Sequence, residues 1–300
     1  MWTKNDMPDQ SGKTVMITGA NTGIGFETAL AFYEKGAYVV LACRNKENAI
    51  TAAEKIRGHE GTGQLKIGIL DLSDLAAVKQ YAEDFLQQHS RLDVLINNAG
   101  VMVPPASKTA DGFELQFGVN FIGHFALTGH LYPLLNATPG SRVVNVSSMA
   151  YLRGAIDFEN LYSEKSYEPM REYAQSKLAN ILFTLELQRR IDAGKGQVMS
   201  IAAQPGANRT ELARYMPAAD YEAAVARVGD LMEPWQGALP SLMAATSPDA
   251  AGGDFYSPDQ DGGYRGYPAK FEIAPHGADL KVAGKLWQFA EEVTGIKYPA

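Results

Sequence analysis

Thr18-Gly19-Ala20-Asn21-Thr22-Gly23-Ile24-Gly25 lies between the short apolar run Thr14–Thr18 and Gly23–Lys35, a segment of helical period. Glycines at the junction of a first strand and a first helix let backbone amides approach a pyrophosphate, and the helix N-terminus favours its negative charge. The spacing is GxxxGxG rather than the GxGxxG of many other dinucleotide folds. Three glycines alone would make an ordinary tight turn. The strand-loop-helix setting turns them into a candidate phosphate cradle, with Gly19, Asn21, Thr22, Gly23, Ile24 and Gly25 as its residues.

Outward from this junction, short β-branched runs alternate with longer helical segments, the signature of repeated βαβ units and a parallel sheet. Strands are expected at Thr14–Thr18, Tyr38–Ala42, Leu65–Leu70, Val94–Asn97, Arg142–Val146 and Val198–Ala202. Their near-continuous apolar character suits strands covered on both faces. Helices are expected over Gly23–Lys35, Lys46–Arg57, Leu75–His89, Phe113–Leu135 and Met170–Ala193. From Glu211 to Ser247 the alternation breaks, and Tyr, Met and Trp residues interleave with charges. This reads as a helical insertion, about 211–247, over one end of the sheet. A short strand, Asp254–Tyr256, then precedes a loop rich in Gly, Tyr and Pro through Pro268, and a helix near Ala278–Val293 closes the chain. The expected architecture is a single α/β domain over 1–300. It is a Rossmann-type doubly wound parallel sheet with helices on both faces and a small helical substrate lid.

Composition agrees with a globular chain: 300 residues, 46% hydrophobic and 20% charged. The net charge of −7 and the scattered Lys and Arg argue against a nucleic-acid partner. Cys43 is the only cysteine, so no intrachain disulfide can form and a reducing compartment is expected. The polar N-terminus and the lack of a membrane-length apolar run point to a cytoplasmic protein without a membrane anchor. The five histidines have no ligand spacing, and no metal site is expected.

About 20 residues beyond the glycines, NAD-binding folds of this kind carry a carboxylate for the ribose hydroxyls. Here the second strand ends in Ala42-Cys43-Arg44-Asn45. No carboxylate would repel a 2′-phosphate, and Arg44 offers a planar cation suited to bind one, so NADP(H) is expected in preference to NAD(H). Asp71 and Leu72, just past the third strand, are placed to meet the adenine edge, although Asp71 could instead cap the following helix.

Tyr173 and Lys177 lie four residues apart in Glu172–Asn180 (EYAQSKLAN), which reads as continuous helix, so their side chains share a face. A phenol with a pKa of about 10 exchanges protons poorly near neutrality, and a nearby ammonium is expected to lower it. Asn145-Val146-Ser147-Ser148 ends the fifth strand at the carboxyl edge of the sheet, where open α/β folds bind ligands. Ser148 is the candidate for hydrogen-bonding a reacting oxygen, with Ser147 turned into structure. Asn97-Asn98-Ala99-Gly100 ends the fourth strand at the same edge, and Asn120 lies in the next helix, where its amide can hold a water or a backbone carbonyl.

Taken in order, TGANTGIG, NNAG, VNFIGHF, RVVNVSSMA, YAQSKLANILFTLEL and QPGANRTEL resemble the short-chain dehydrogenase/reductase family, specifically its retinol-dehydrogenase-like branch, over nearly the whole chain. The resemblance implies an oxidoreductase that moves a hydride between a nicotinamide and a carbonyl/alcohol pair. In it Ser148 would orient the carbonyl and Tyr173 would exchange the proton. Lys177 would lower the tyrosine pKa and bind the nicotinamide ribose, and Asn120 would support a water relay. It also implies that Pro205, Gly206 and Thr210 lie by the nicotinamide, that Asn98 and Ala99 line the adenosine side with Gly100 beside them, and that a dimer or tetramer forms through the helices holding Asn120 and Tyr173. Two features depart from the pattern: the 24 residues between Ser148 and Tyr173 exceed the compact members, and Ala207-Asn208-Arg209 precedes Thr210 without the usual bulky apolar residue.

The expected reaction is NADPH-driven reduction of an aldehyde or ketone on an apolar small molecule. A non-catalytic NADP(H) sensor or scaffold, or another reaction such as epimerisation in the same pocket, stays open at this stage. His124 reads as a helix-packing residue, since the tyrosine already serves as acid and base. Tyr215, Met216, Tyr221, Met232 and Trp235 are candidates for an apolar substrate pocket, with the core as their alternative.

Overall fold

A computed structural model describes residues 1–299. Eight strands form one sheet: β1 (Thr14–Thr18), β2 (Tyr38–Cys43), β3 (Gln64–Ile69), β4 (Val94–Asn97), β5 (Arg142–Val146), β6 (Met199–Ala203), β7 (Phe255–Gln260) and β8 (Arg265–Lys270), in the order β3-β2-β1-β4-β5-β6-β7-β8. Neighbours from β3 to β7 pair in parallel, whereas β8 runs antiparallel to β7, with Tyr256 opposite Lys270 and Gln260 opposite Arg265. The order reverses between β1 and β4, and a doubly wound sheet opens its crevice at that switch point.

The helices are α1 (Gly23–Glu34), α2 (Lys46–Arg57), α3 (Leu75–Gln88), α4 (Leu115–Phe117), α5 (Gly123–Ala137), α6 (Pro169–Ala193), α7 (Ala218–Val228), α8 (Pro234–Thr246) and α9 (Leu280–Thr294). Alternate strand residues point to opposite faces. Val15, Ile17, Val39 and Leu41 meet α1, α2 and α8 on one side, while Met16, Val40, Leu95 and Val143 meet α3, α5, α6 and α9 on the other. Among the described residues no helix is long and apolar enough to cross a membrane.

The structure departs from the sequence reading at three places. The loop expected through Pro268 contains β8, an edge strand without β-branched residues that tolerates Pro268 because an edge need not donate every amide. The single helix expected over Phe113–Leu135 is α4, a π-helical turn over Gly118–Ile122, and α5. A Cβ at Gly123 would come within 2.4 Å of the Leu72 carbonyl, so glycine lets this widened turn press against the end of β3. The insertion expected over 211–247 is two things: residues up to α7 stand outside the sheet layers, but α8 is buried against α1 and the strands.

Helix α6 is enclosed on both sides. Glu172 through Thr184 are buried without a break, because α9 and the C-terminal segment cover this helix and α5. Trp287 packs on Phe125 and Phe183, and Tyr298 on Phe125, while the Tyr298 hydroxyl donates to the Phe125 carbonyl at 2.9 Å. Trp287 is 2% exposed and its indole donates to Glu291. Trp287→Ala is expected to cost about 3–5 kcal/mol in urea unfolding; a loss under about 1 kcal/mol would mean that α9 packs loosely.

Candidate active site

A cleft of about 580 Å³ opens at the carboxyl edge of the sheet over the β1/β4 switch point. Its floor begins at the glycine turn. A Cβ at Gly25 would lie 2.3 Å from the Gly19 carbonyl, and one at Gly19 would lie 3.0 Å from the Ala99 Cα, so the turn closes only without side chains there. Gly19 and Gly23 have positive φ (66° and 56°), which glycine adopts without strain. Thr22 precedes α1 without capping it through its side chain, so the first-turn amides of Gly23, Ile24 and Gly25 keep their donors for an anion. These features fit a dinucleotide pyrophosphate.

The adenosine end is bounded by Arg44, Asp71 and Leu72. Arg44 is exposed at the cleft rim and pairs with no carboxylate among the described residues. Asp71 accepts from the Ser73 amide (2.9 Å) and hydroxyl (2.6 Å), while the cap of α3 belongs to Asp74, which accepts from Ala76 and Ala77. Helix capping by Asp71 is therefore set aside.

Beyond β4, Asn98 and Ala99 donate their amides to the Thr18 hydroxyl, both at 2.9 Å, and Asn98 Nδ2 donates to the Thr18 carbonyl at 2.8 Å. This stitches the ends of β1 and β4 together under the cleft. Gly100, Pro205, Gly206 and Thr210 complete the wall, so every residue expected to contact the cofactor borders one cavity. Thr210 lies close to Gly23, where an added Cβ would meet its methyl at 3.3 Å.

Ser148, Tyr173 and Lys177 also line the cleft. Ser148 follows β5 and begins a short 3-10 turn over Met149–Arg153; its hydroxyl accepts from the Ala150 amide at 3.2 Å. Ser147 instead donates to the Lys177 carbonyl at 2.7 Å, the structural role expected of it. Glu168 caps α6 by accepting from Met170 and Arg171, with Pro169 in the first turn, and one turn further on the helix delivers Tyr173 and Lys177 on one face. Lys177 Nζ donates to the Val146 carbonyl at 3.1 Å and sits 5.7 Å from the centre of the Tyr173 ring.

The electrostatics differ from the sequence expectation. Burial pushes the Tyr173 phenol up to about 12, opposed by the Ser148 hydroxyl, and burial pushes the Lys177 ammonium down to about 8. Desolvation outweighs the proximity of the ammonium, and the phenol rests protonated. A protonated phenol beside a cation is a proton donor in waiting.

Asn120 is the exception among the expected catalytic residues, because it does not border the cleft. Its Oδ1 accepts from the Val101 amide (2.8 Å), and its Nδ2 donates to the Val101 carbonyl and the Ser176 hydroxyl, both at 3.0 Å. These bonds use both amide hydrogens and engage the carbonyl oxygen on protein partners. Asn120 thereby ties the cleft-lining segment at Val101 to α6. Sequence reasoning singled out Asn120 but missed Val101 and Met102, which line the cleft, because they follow β4 without any periodic signal.

At the mouth, Leu212, Met216, Tyr221, Val225, Val228 and Leu231 form an apolar wall, joined by Tyr215. Of the five residues considered for the pocket, Tyr215, Met216 and Tyr221 border it. Met232 is buried beneath Gly206, and Trp235 faces a separate cavity of about 250 Å³ between α1, α8 and the N-terminal turn. The loop before α6 is anchored by Tyr151, whose hydroxyl accepts from Ala274, and by Tyr162, stacked on Phe113 at 5.1 Å. Asp157 donates its amide to Gln175 of α6.

Comparison with known proteins agrees with this arrangement. Residues 13–220 match the model of the short chain dehydrogenase family. The chain is 42% identical to mouse (Mus musculus) retinol dehydrogenase 14 over 302 residues, covering 95% of this chain and 86% of that one. It is 39% identical to human (Homo sapiens) retinol dehydrogenase 13, covering 96% and 86%. A crystal structure of an uncharacterized protein from Mycobacterium paratuberculosis shares 38% identity at a TM-score of 0.83, covering 100% of this chain and 99% of that one.

Proposed function

The chain belongs to the short-chain dehydrogenase/reductase family, in its retinol-dehydrogenase-like branch, and from that premise we propose that it reduces an apolar aldehyde or ketone to the alcohol, with NADPH preferred over NADH. The observation that carries this reading is the convergence of Ser148, Tyr173 and Lys177 on the cleft floored by the Gly19–Gly25 turn. A sensor or scaffold would have no need of a buried phenol and a buried ammonium held within one helix turn.

The nicotinamide, when bound, supplies the hydride. Residues Gly19 through Gly25 would hold the pyrophosphate, and Asn98, Ala99, Pro205, Gly206 and Thr210 would flank the remainder. The hydroxyl of Ser148 and the phenol of Tyr173 both line the cleft, so a carbonyl oxygen received between them can take a hydrogen bond from each. Tyr173 then gives its proton to that oxygen as negative charge develops there. The phenolate left behind is stabilised by the Lys177 ammonium, whose attraction is stronger in a site closed to water than in solution. The alcohol leaves, and water restores the proton.

Support for NADP(H) comes from Arg44, which is exposed, uncommitted to any carboxylate among the described residues, and at the adenosine end of the cleft. Support for an apolar substrate comes from the mouth, where Leu212, Met216, Tyr221 and Val225 present apolar side chains beside Glu211 and Arg214.

The reading is tested by following oxidation of NADPH and, separately, NADH with short, aromatic, long-chain and retinoid carbonyls. Turnover is expected with bulky apolar carbonyls, and Tyr173→Phe is expected to lower kcat at least ~100-fold; full turnover by that variant would remove Tyr173 from the proton step. Arg44→Asp is expected to weaken NADPH binding on the order of 100-fold while changing NADH binding less than about threefold, whereas equal losses would refute the phosphate role. The pH dependence follows from Lys177. Reduction needs the ammonium, so kcat/KM should hold below about 8 and fall as pH rises through that value, while the phenol stays protonated until about 12. A profile flat to pH 10 would contradict the role of Lys177.

A further inference from the structure

Behind the cleft, one buried ring touches both halves of the site. His124 Nδ1 lies 3.0 Å from the Asn120 carbonyl and its Nε2 lies 2.8 Å from the Thr18 hydroxyl. A carbonyl only accepts, so Nδ1 carries the hydrogen, and Nε2 of the neutral ring accepts the hydroxyl proton of Thr18. Complete burial, which pushes the imidazole down to about 4, keeps the ring in that form.

With its proton committed to His124, the Thr18 oxygen is free to receive the amides of both Asn98 and Ala99. Those amides sit directly under Gly19, the start of the phosphate cradle. At the other end the π-helical turn disturbs the regular amide ladder around Asn120, and His124 supplies a donor to its carbonyl. The Asn120 side chain continues the connection to Val101 and to Ser176, and the Ser176 hydroxyl donates to the Tyr173 carbonyl at 2.8 Å.

We propose that His124 is a positioning residue that fixes the dinucleotide floor, through Thr18, in register with Tyr173, through Asn120. No proton of the reaction passes through it. The inference rests on the reading of the cleft as an NADP(H) site, so NADPH binding to the unchanged chain is measured first; failure there would count against that reading alone.

The test compares NADPH dissociation constants, read by calorimetry, with kcat for the best carbonyl substrate. His124→Phe fills the same space and removes both hydrogen bonds. It is expected to weaken NADPH binding and to lower kcat, each on the order of tenfold. Thr18→Val should produce a similar loss of affinity, and the double variant should bind no more than about threefold more weakly than Thr18→Val alone, because both changes break one connection. His124→Gln, whose amide reaches the Nε2 position, should recover most of the affinity, and His124→Asn, which reaches only Nδ1, should not. Multiplying losses in the double variant, or unchanged affinity and turnover in His124→Phe, would overturn the proposal. If His124→Phe fails to fold, the Gln and Asn variants decide: equal affinities would overturn it.

Discussion

Burying a cation without a carboxylate beside it is the constraint around which this structure is organised. Lys177 is 4% exposed, and no ion pair reaches it among the described residues. An unpaired buried ammonium is tolerated only where polar groups replace water. The Val146 carbonyl does so, and it also accepts from Asn180 one helical turn further along. Asn180 in turn receives the Thr184 hydroxyl at its carbonyl, Thr184 accepts from Asn145, and Asn145 accepts from Asn97. A polar seam thus runs from the helix into the sheet, through a region that is otherwise apolar. It gives β4, β5 and α6 a fixed register at the place where Ser148 and Tyr173 must meet.

That register shows which features were legible from sequence. Six short runs revealed six parallel strands within a residue or so: five are buried and leave continuous apolar stretches, whereas β3 lies half exposed at the sheet edge and was read from its alternating Leu65 and Ile67. Tyr173 and Lys177 were legible because a helix places positions four apart on one face whatever surrounds it. β8 was not, because Arg265–Lys270 carries glycine and proline and gains its strand geometry from β7 alone. The π-helical turn was hidden for a related reason. Its widening answers close contacts with Leu72 and Thr109 at Gly123 and Gly118, which are distant in sequence. The contact of His124 with Thr18 and those of Asn120 with Val101 and Ser176 were invisible for the same cause: each joins elements whose separation only the folded sheet determines.

The mouth of the cleft obeys different physics from its floor. The floor is fixed by backbone contacts and buried hydrogen bonds, whereas α7 contributes no buried residue at all. Tyr221, Ala224, Val225 and Val228 recur at helical spacing and turn toward the cleft, so the apolar stripe of α7 has the site itself as its main contact. A helix held this way gains packing when an apolar ligand fills the space beside it.

The opposite flank shows how rigidity reaches the chemistry. A helix buried on every side, as α6 is from Glu172 to Thr184, needs a cover as well as a sheet beneath it. Here α9 provides that cover, with Trp287 set between Phe125 and Phe183 and the Arg190 guanidinium lying 4.6 Å over its ring. Removing α9 would expose those aromatic rings to water, at a cost that scales with the apolar area uncovered. Helix α6, which carries Tyr173 and Lys177, is thus braced from within the chain.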